Sequence, residues 1–133
     1  MNEQHKSIVM DLDGTICPIK KAHENYAALE PYPAVVQKMR EYKQQGFRIV
    51  ISSSRNMRTY RGNVGEINAH TLPVIIAWLE RHQIPYDEIL VGKPWCGPGG
   101  FYVDDKTISP DEFVNASYDE ITARLSDKDA PMP

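Results

Sequence analysis

A chain of 133 residues, 41% hydrophobic and 25% charged, has the size and composition of one compact domain and leaves no room for a second. Its formal net charge of −3 excludes the strongly basic footprint of a nucleic-acid binder, while local positive charge would still serve a small anionic ligand. No apolar run has the length of a membrane span, and the polar stretch from Met1 to Ser7 is no signal peptide, so no membrane partner and a cytoplasmic location are expected.

A domain of this length buries roughly two thirds of its unfolded surface and needs no disulfide or metal to fold, so a bound metal is expected to be functional. The only two cysteines, Cys17 and Cys96, form no CxxC or Cys/His cluster and read as reduced bystanders. One domain is expected over residues 1–133, with fraying from Asp127 to Pro133.

Ile8-Val9-Met10 reads as the first strand, ending at Asp11-Leu12-Asp13-Gly14 where glycine breaks the pattern. Pro33 suits a first helical turn, Val35, Met39 and Tyr42 follow at helical spacing, and Gly46 closes a helix predicted over Pro33 to Gln45. Phe47 to Ile51 is the second strand, running into Ser52-Ser53-Ser54-Arg55. A loop is expected from Asn56 to about His70, then a second helix behind a Thr71 cap, with Leu72, Ile75, Ile76 and Leu79 as its apolar stripe. Ile89-Leu90-Val91 predicts a third strand leading to Lys93, and Phe101-Tyr102-Val103 a fourth leading to Asp104-Asp105. Ser109 to Glu112 and Ser117 to Glu120 fit capping boxes of short closing helices.

This order predicts right-handed crossovers, hence a parallel sheet with helices on both faces, and ligands in such sheets bind beyond the carboxyl ends of the strands. Asp11, Asp13, Ser53 and Asp104 fall at those ends, with Lys93 just past another. Three carboxylates without histidine or cysteine suit Mg²⁺ better than zinc, and magnesium commonly partners phosphate. Asp11 is placed to attack phosphorus, Asp13 to protonate the leaving oxygen and then activate water, and Ser53 and Lys93 to neutralise the phosphate. Taken singly, Ser53 reads more readily as a cap and Lys93 as a solvated loop residue, while Asp13-Gly14 reads equally as a turn and Asp104-Asp105 equally as a polar strand end. Taken together, in this order and at strand ends, they read as a site.

Asp11-Leu12-Asp13-Gly14-Thr15, Ser53, Lys93-Pro94 and Asp104-Asp105 resemble the four ordered motifs of the haloacid dehalogenase superfamily. The resemblance implies a three-layer Rossmann-like fold and an aspartyl-phosphate route through Asp11. It also implies magnesium held by the Asp11 side chain, the Asp13 carbonyl and Asp104, with Asp13 marking the phosphatase branch. Asp105 would orient Lys93 or a metal-bound water, and which of the adjacent pair binds metal stays open. The stretches around Ser53 to Tyr60, Asn68 to Pro73 and Val91 to Gly97 are similar to small phosphatases associated with capsular polysaccharide biosynthesis. Ser54 stands where those relatives carry glycine beside the phosphate-binding hydroxyl.

The connections from Thr15 to Pro33 and from Arg55 to Leu72 are too short for a cap domain, so an open site is expected, or one covered by a neighbouring subunit as in tetrameric capless relatives. The expected substrate is a small phosphorylated metabolite, a sugar or polyol phosphate. A binding module that keeps the fold without catalysis, and a phosphatase for macromolecules, are the alternatives. Ser54, Arg55, Arg58 and Arg61 are candidate substrate contacts, although the three arginines read equally as a solvated loop.

Overall fold

The structure, a computed structural model, describes residues 6–128. It forms two compact units, divided between Trp95 and Cys96. The first holds β1 (Ser7–Met10), a 3₁₀ turn (Tyr26–Ala28), α1 (Pro33–Gln44), β2 (Arg48–Ser53), α2 (Val64–His70), α3 (Leu72–Arg81) and β3 (Glu88–Val91). It is a small α/β unit whose three strands run parallel in the order β1-β2-β3.

β2 is the central strand because it is the most apolar: Ile49, Val50 and Ile51 are all buried. It pairs with β1 from Ser7 opposite Arg48 to Met10 opposite Ile51. On its other side it pairs with β3, from Val50 opposite Glu88 to Ser53 opposite Val91. Parallel pairing brings all three carboxyl ends to one edge of the sheet.

α1 starts at Pro33, where the missing N–H costs nothing, and buries Val35, Val36, Met39 and Tyr42. It ends at Gly46 with a φ of 94°, a left-handed conformation that glycine adopts without a Cβ penalty. α3 buries Ile75, Trp78 and Leu79, and the Trp78 indole N–H donates to the Leu29 carbonyl at 2.7 Å. Leu12, Met39, Ile49, Ile51, Ile75 and Leu79 are fully buried, and each contributes on the order of 2 kcal/mol by leaving water.

The expected loop over 56–70 is a loop only as far as Asn63. There the side-chain oxygen of Asn63 accepts the Glu66 N–H at 3.1 Å and starts α2, which buries Ile67. Gly65 and Asn68 hide this seven-residue helix, since both are poor helix formers. Thr71, expected as a cap, instead joins α2 to α3 in a helical conformation and makes no capping bond.

The second unit contains α4 (Pro110–Asn115) and α5 (Tyr118–Lys128). Both expected capping boxes form: Ser109 and Glu112 bond each other's backbone N–H at 3.2 and 3.0 Å, and Ser117 and Glu120 do so at 3.1 and 2.8 Å. Arg124 bridges back to Glu112 at 2.9 Å. Asp127 and Lys128 belong to α5, and the rest of the tail expected to fray lies outside the described residues.

The fourth strand expected at Phe101 to Val103 does not form. A tight turn precedes it, with the Gly100 N–H donating to the Gly97 carbonyl, and an added Cβ at Gly100 would run into the Cys96 carbonyl. The three apolar residues are 80%, 52% and 88% exposed. An apolar run becomes a strand only where a neighbouring strand completes its ladder, and among the described residues 101–103 join no sheet.

Candidate functional site

β1 delivers Asp11 to the sheet edge, and a compact turn then presents Asp13. The Leu12 carbonyl accepts the N–H groups of Thr15, Ile16 and Cys17, while the fully buried Leu12 side chain anchors the turn from below. Gly14 takes a φ of 88°, and a Cβ there would press on Ile19 at 3.3 Å. A side chain at this position would therefore be strained twice over.

The Thr15 hydroxyl donates to Asp11 Oδ2 at 3.0 Å. Lys93 Nζ stands 3.6 Å from Asp11 Oδ1, reaching past the end of the central strand. Its position follows from β3, whose ladder continues as the Lys93 N–H donates to the Ser53 carbonyl at 3.2 Å. Gly92 makes that approach with a φ of 84°, close against Val64 of α2. Asp11 and Lys93 keep about a third and a quarter of their side-chain surface in solvent, so this end of the sheet is reachable.

Ser53 is the last residue of β2 and is buried. Its hydroxyl oxygen accepts the Arg55 N–H at 3.0 Å, which steadies the start of the loop.

Arg55 departs from expectation. Rather than extending into solvent toward a substrate, its side chain is buried and closes a fork on Asp13, Nε to Oδ2 at 3.0 Å and Nη2 to Oδ1 at 2.8 Å. The guanidinium carbon lies 4.0 Å from the centre of the Tyr26 ring, a stacked cation–π geometry. Burial first, and the Asp13 charge second, push the Tyr26 hydroxyl above its ordinary value. Burial, with Asp13 again second, raises the Cys17 thiol to about 12, so it stays protonated at neutral pH. It donates weakly to Asp13 Oδ1 at 3.6 Å.

Arg58 and Arg61 are exposed in the loop, as expected, and Ser54 is half-buried. The Arg58 guanidinium lies 5.9 Å from the Trp95 ring centre, and Arg61 holds a left-handed φ of 53°. Asn56, also left-handed at 63°, accepts the Thr71 hydroxyl at 2.6 Å and ties this loop to the start of α3.

Asp104 and Asp105 lie in the second unit, in irregular and exposed chain. Without the fourth strand, Asp104 does not stand at the carboxyl end of a strand as expected. The Lys106 N–H donates to Asp104 Oδ1 at 3.0 Å. This bond, and after it a hydrogen bond with Asp105, hold the Asp104 carboxyl below the usual carboxylate range.

The first unit thus brings together Asp11, Asp13, Ser53 and Lys93, and adds Thr15, Tyr26 and Arg55 as their supports. Thr15 was visible in the first motif. Tyr26 carried no signal, because its role depends on an arginine 29 positions later in the chain. Among the described residues no group of three or more His, Cys, Asp or Glu side chains is close enough to hold a metal ion. No helix among them is long and apolar enough to cross a membrane.

Neither a protein-family model nor a curated protein matches the chain. Among solved structures, a chain of the Pnkp1/Rnl/Hen1 complex aligns at 21% identity over 86% of this chain and 36% of its own, with a TM-score of 0.48. A chain of the Pnkp1/Rnl/Hen1 RNA repair complex aligns at 23% identity over 68% and 27%, with a TM-score of 0.47. Both likenesses are too slight to inform the site. The crystal structure of an MCSG target from Vibrio cholerae is different in kind: it is 51% identical, covers 92% of this chain and 98% of its own, and superposes with a TM-score of 0.88. At that identity and coverage, the chain belongs to the same family as the Vibrio cholerae protein.

Proposed function

We propose that the protein is a magnesium-dependent phosphomonoesterase of the haloacid dehalogenase type, without a cap domain, acting on a sugar or polyol phosphate in the synthesis of a capsular or other surface polysaccharide. The observation that carries this reading is the pair Asp11 and Asp13 at the carboxyl end of β1, with Lys93 Nζ 3.6 Å from Asp11. A carboxylate needs a nearby cation to meet a phosphate dianion without prohibitive repulsion. Lys93 supplies one.

Asp11, steadied through Oδ2 by Thr15, is the nucleophile. As its oxygen bonds to phosphorus, the bond from phosphorus to the leaving oxygen breaks and the Asp13 carboxyl gives that oxygen a proton, releasing an alcohol. In the second half, Asp13 takes a proton from water as the water oxygen attacks the aspartyl phosphate. Inorganic phosphate leaves and both aspartates are restored. Lys93 balances charge on the equatorial oxygens throughout.

The donors fit magnesium. It favours hard oxygen ligands and is usually held by one or two carboxylates, with carbonyls, waters and substrate oxygens completing the shell. The Asp11 carboxylate and the Asp13 carbonyl would hold it. When bound, the ion supplies charge neutralisation and orientation of the phosphate.

The test is phosphate release from a panel of sugar, polyol and nucleotide phosphates by the folded protein with magnesium. Turnover selective for sugar or polyol phosphates is expected. If no member of the panel is hydrolysed, the reading falls.

A further inference from the structure

Arg55 is the most deeply buried charge among the described residues of the first unit, and its position is over-determined. Its backbone N–H is held by the Ser53 hydroxyl, its guanidinium plane rests on Tyr26, and its two nitrogens meet both oxygens of Asp13. A group committed in this way is not available to grip a substrate. It is well suited to fixing the plane of a carboxyl group, because a planar fork restrains both oxygens at once where an ammonium restrains one.

The fork also makes the two Asp13 oxygens different. Each carboxyl oxygen offers two lone pairs. Oδ1 accepts from Arg55 Nη2 and from the Cys17 thiol, whereas Oδ2 accepts only Arg55 Nε among the hydrogen bonds of the described residues.

We propose that Arg55 is a positioning residue for Asp13, with Tyr26 as the platform for its guanidinium, and that together they leave Oδ2 as the oxygen that exchanges the proton with the leaving group. This rests on the phosphatase reading above, in which Asp13 is the general acid and base. Arg55 acts through Asp13 and touches neither the phosphate nor the nucleophile.

The experiment compares Arg55→Lys, Asp13→Asn and the double variant on two esters, a nitrophenyl phosphate and an alkyl phosphate. General acid catalysis is worth roughly 10² to 10⁴ in rate and matters most when the leaving oxygen is basic. Arg55→Lys is therefore expected to lower kcat for the alkyl ester by about 10- to 100-fold, a part of that range. The nitrophenyl ester should lose only a few-fold, with KM little changed on either. The double variant should be no slower than Asp13→Asn alone, because two residues acting through one group are not additive.

Tyr26→Leu, which leaves the ion pair in place, should show the same leaving-group selectivity at smaller size, and Tyr26→Phe should recover most of the loss. This pair carries the test if Arg55→Lys does not fold. A rise in KM on both esters would make Arg55 a substrate contact and overturn the proposal. Equal losses on both esters, or additive losses in the double variant, would overturn it too. If Asp13→Asn itself keeps full activity, the phosphatase mechanism fails and takes the proposal with it. If Asp13→Asn is impaired but Arg55→Lys adds to it, only the positioning role fails.

Discussion

Asp11 and Lys93 face each other at 3.6 Å although 82 residues separate them, because β1 and β3 flank β2 and all three end at the same edge. Replacing Asp11 by Asn keeps the size and the Thr15 contact but removes the nucleophile and weakens the metal ligand. Asp11→Asn is expected to abolish turnover with an unchanged melting temperature. Phosphate release at even a tenth of the wild-type rate by the purified, folded variant would sink the aspartyl-phosphate route. Lys93→Met should lose about 2 kcal/mol or more of transition-state stabilisation, as for other electrostatic contacts to a reacting oxygen.

Removing divalent cations should stop the reaction, and magnesium should restore it. Calcium should restore little, since its longer bonds and higher coordination suit an in-line displacement poorly. Full activity after exhaustive chelation would rule the metal out.

Arg58 is exposed, with its guanidinium 5.9 Å from the Trp95 ring centre, and its expected contact with substrate is open to a direct test. Arg58→Ala should raise KM several-fold for a substrate that carries a second anionic or densely hydroxylated group, with kcat unchanged. That pattern marks binding shared by ground and transition states. A nitrophenyl ester should respond as with the wild type. Equal loss on both substrates would move Arg58 into the phosphoryl site or the fold.

Asp87 links α1 to the sheet: it takes the Lys43 ammonium at 2.7 Å and the Ile49 N–H at 2.8 Å. Lys43 first, and Ile49 second, hold its carboxyl below the ordinary value of 3.8. A folded pKa below the unfolded one stabilises fully above the unfolded value, and the gain is lost as pH falls through the folded one. Acid should therefore weaken the protein below about pH 4 partly through this group. Asp87→Asn should cost about 1 kcal/mol at neutral pH, discounted because the ion pair is partly exposed, and should flatten the acid limb. Urea midpoints measured from pH 3 to pH 7 check both, and parallel curves for variant and wild type would contradict the assignment.

What the sequence determined by itself was whatever neighbouring residues decide among themselves. Apolar runs and helical spacing marked β1, α1, β2, α3 and β3 to within two residues, Gly46 marked the end of α1 and the Ser109 and Ser117 boxes the starts of α4 and α5, and parallel topology gathered Asp11, Ser53 and Lys93 at one edge. α2 escaped because its one strong signal, the Asn63 cap, precedes a glycine. Tertiary structure alone decided the rest. Phe101 to Val103 has the composition of a strand, yet behind the tight turn at Gly100 it joins no sheet among the described residues. Arg55 reads as a loop cation until the pairing of β1 with β2 carries it to Asp13, 42 residues away, where burial beside Tyr26 favours an ion pair over solvent. Long-range partners of this kind are set by strand register and burial, and neither is written in the order of adjacent residues.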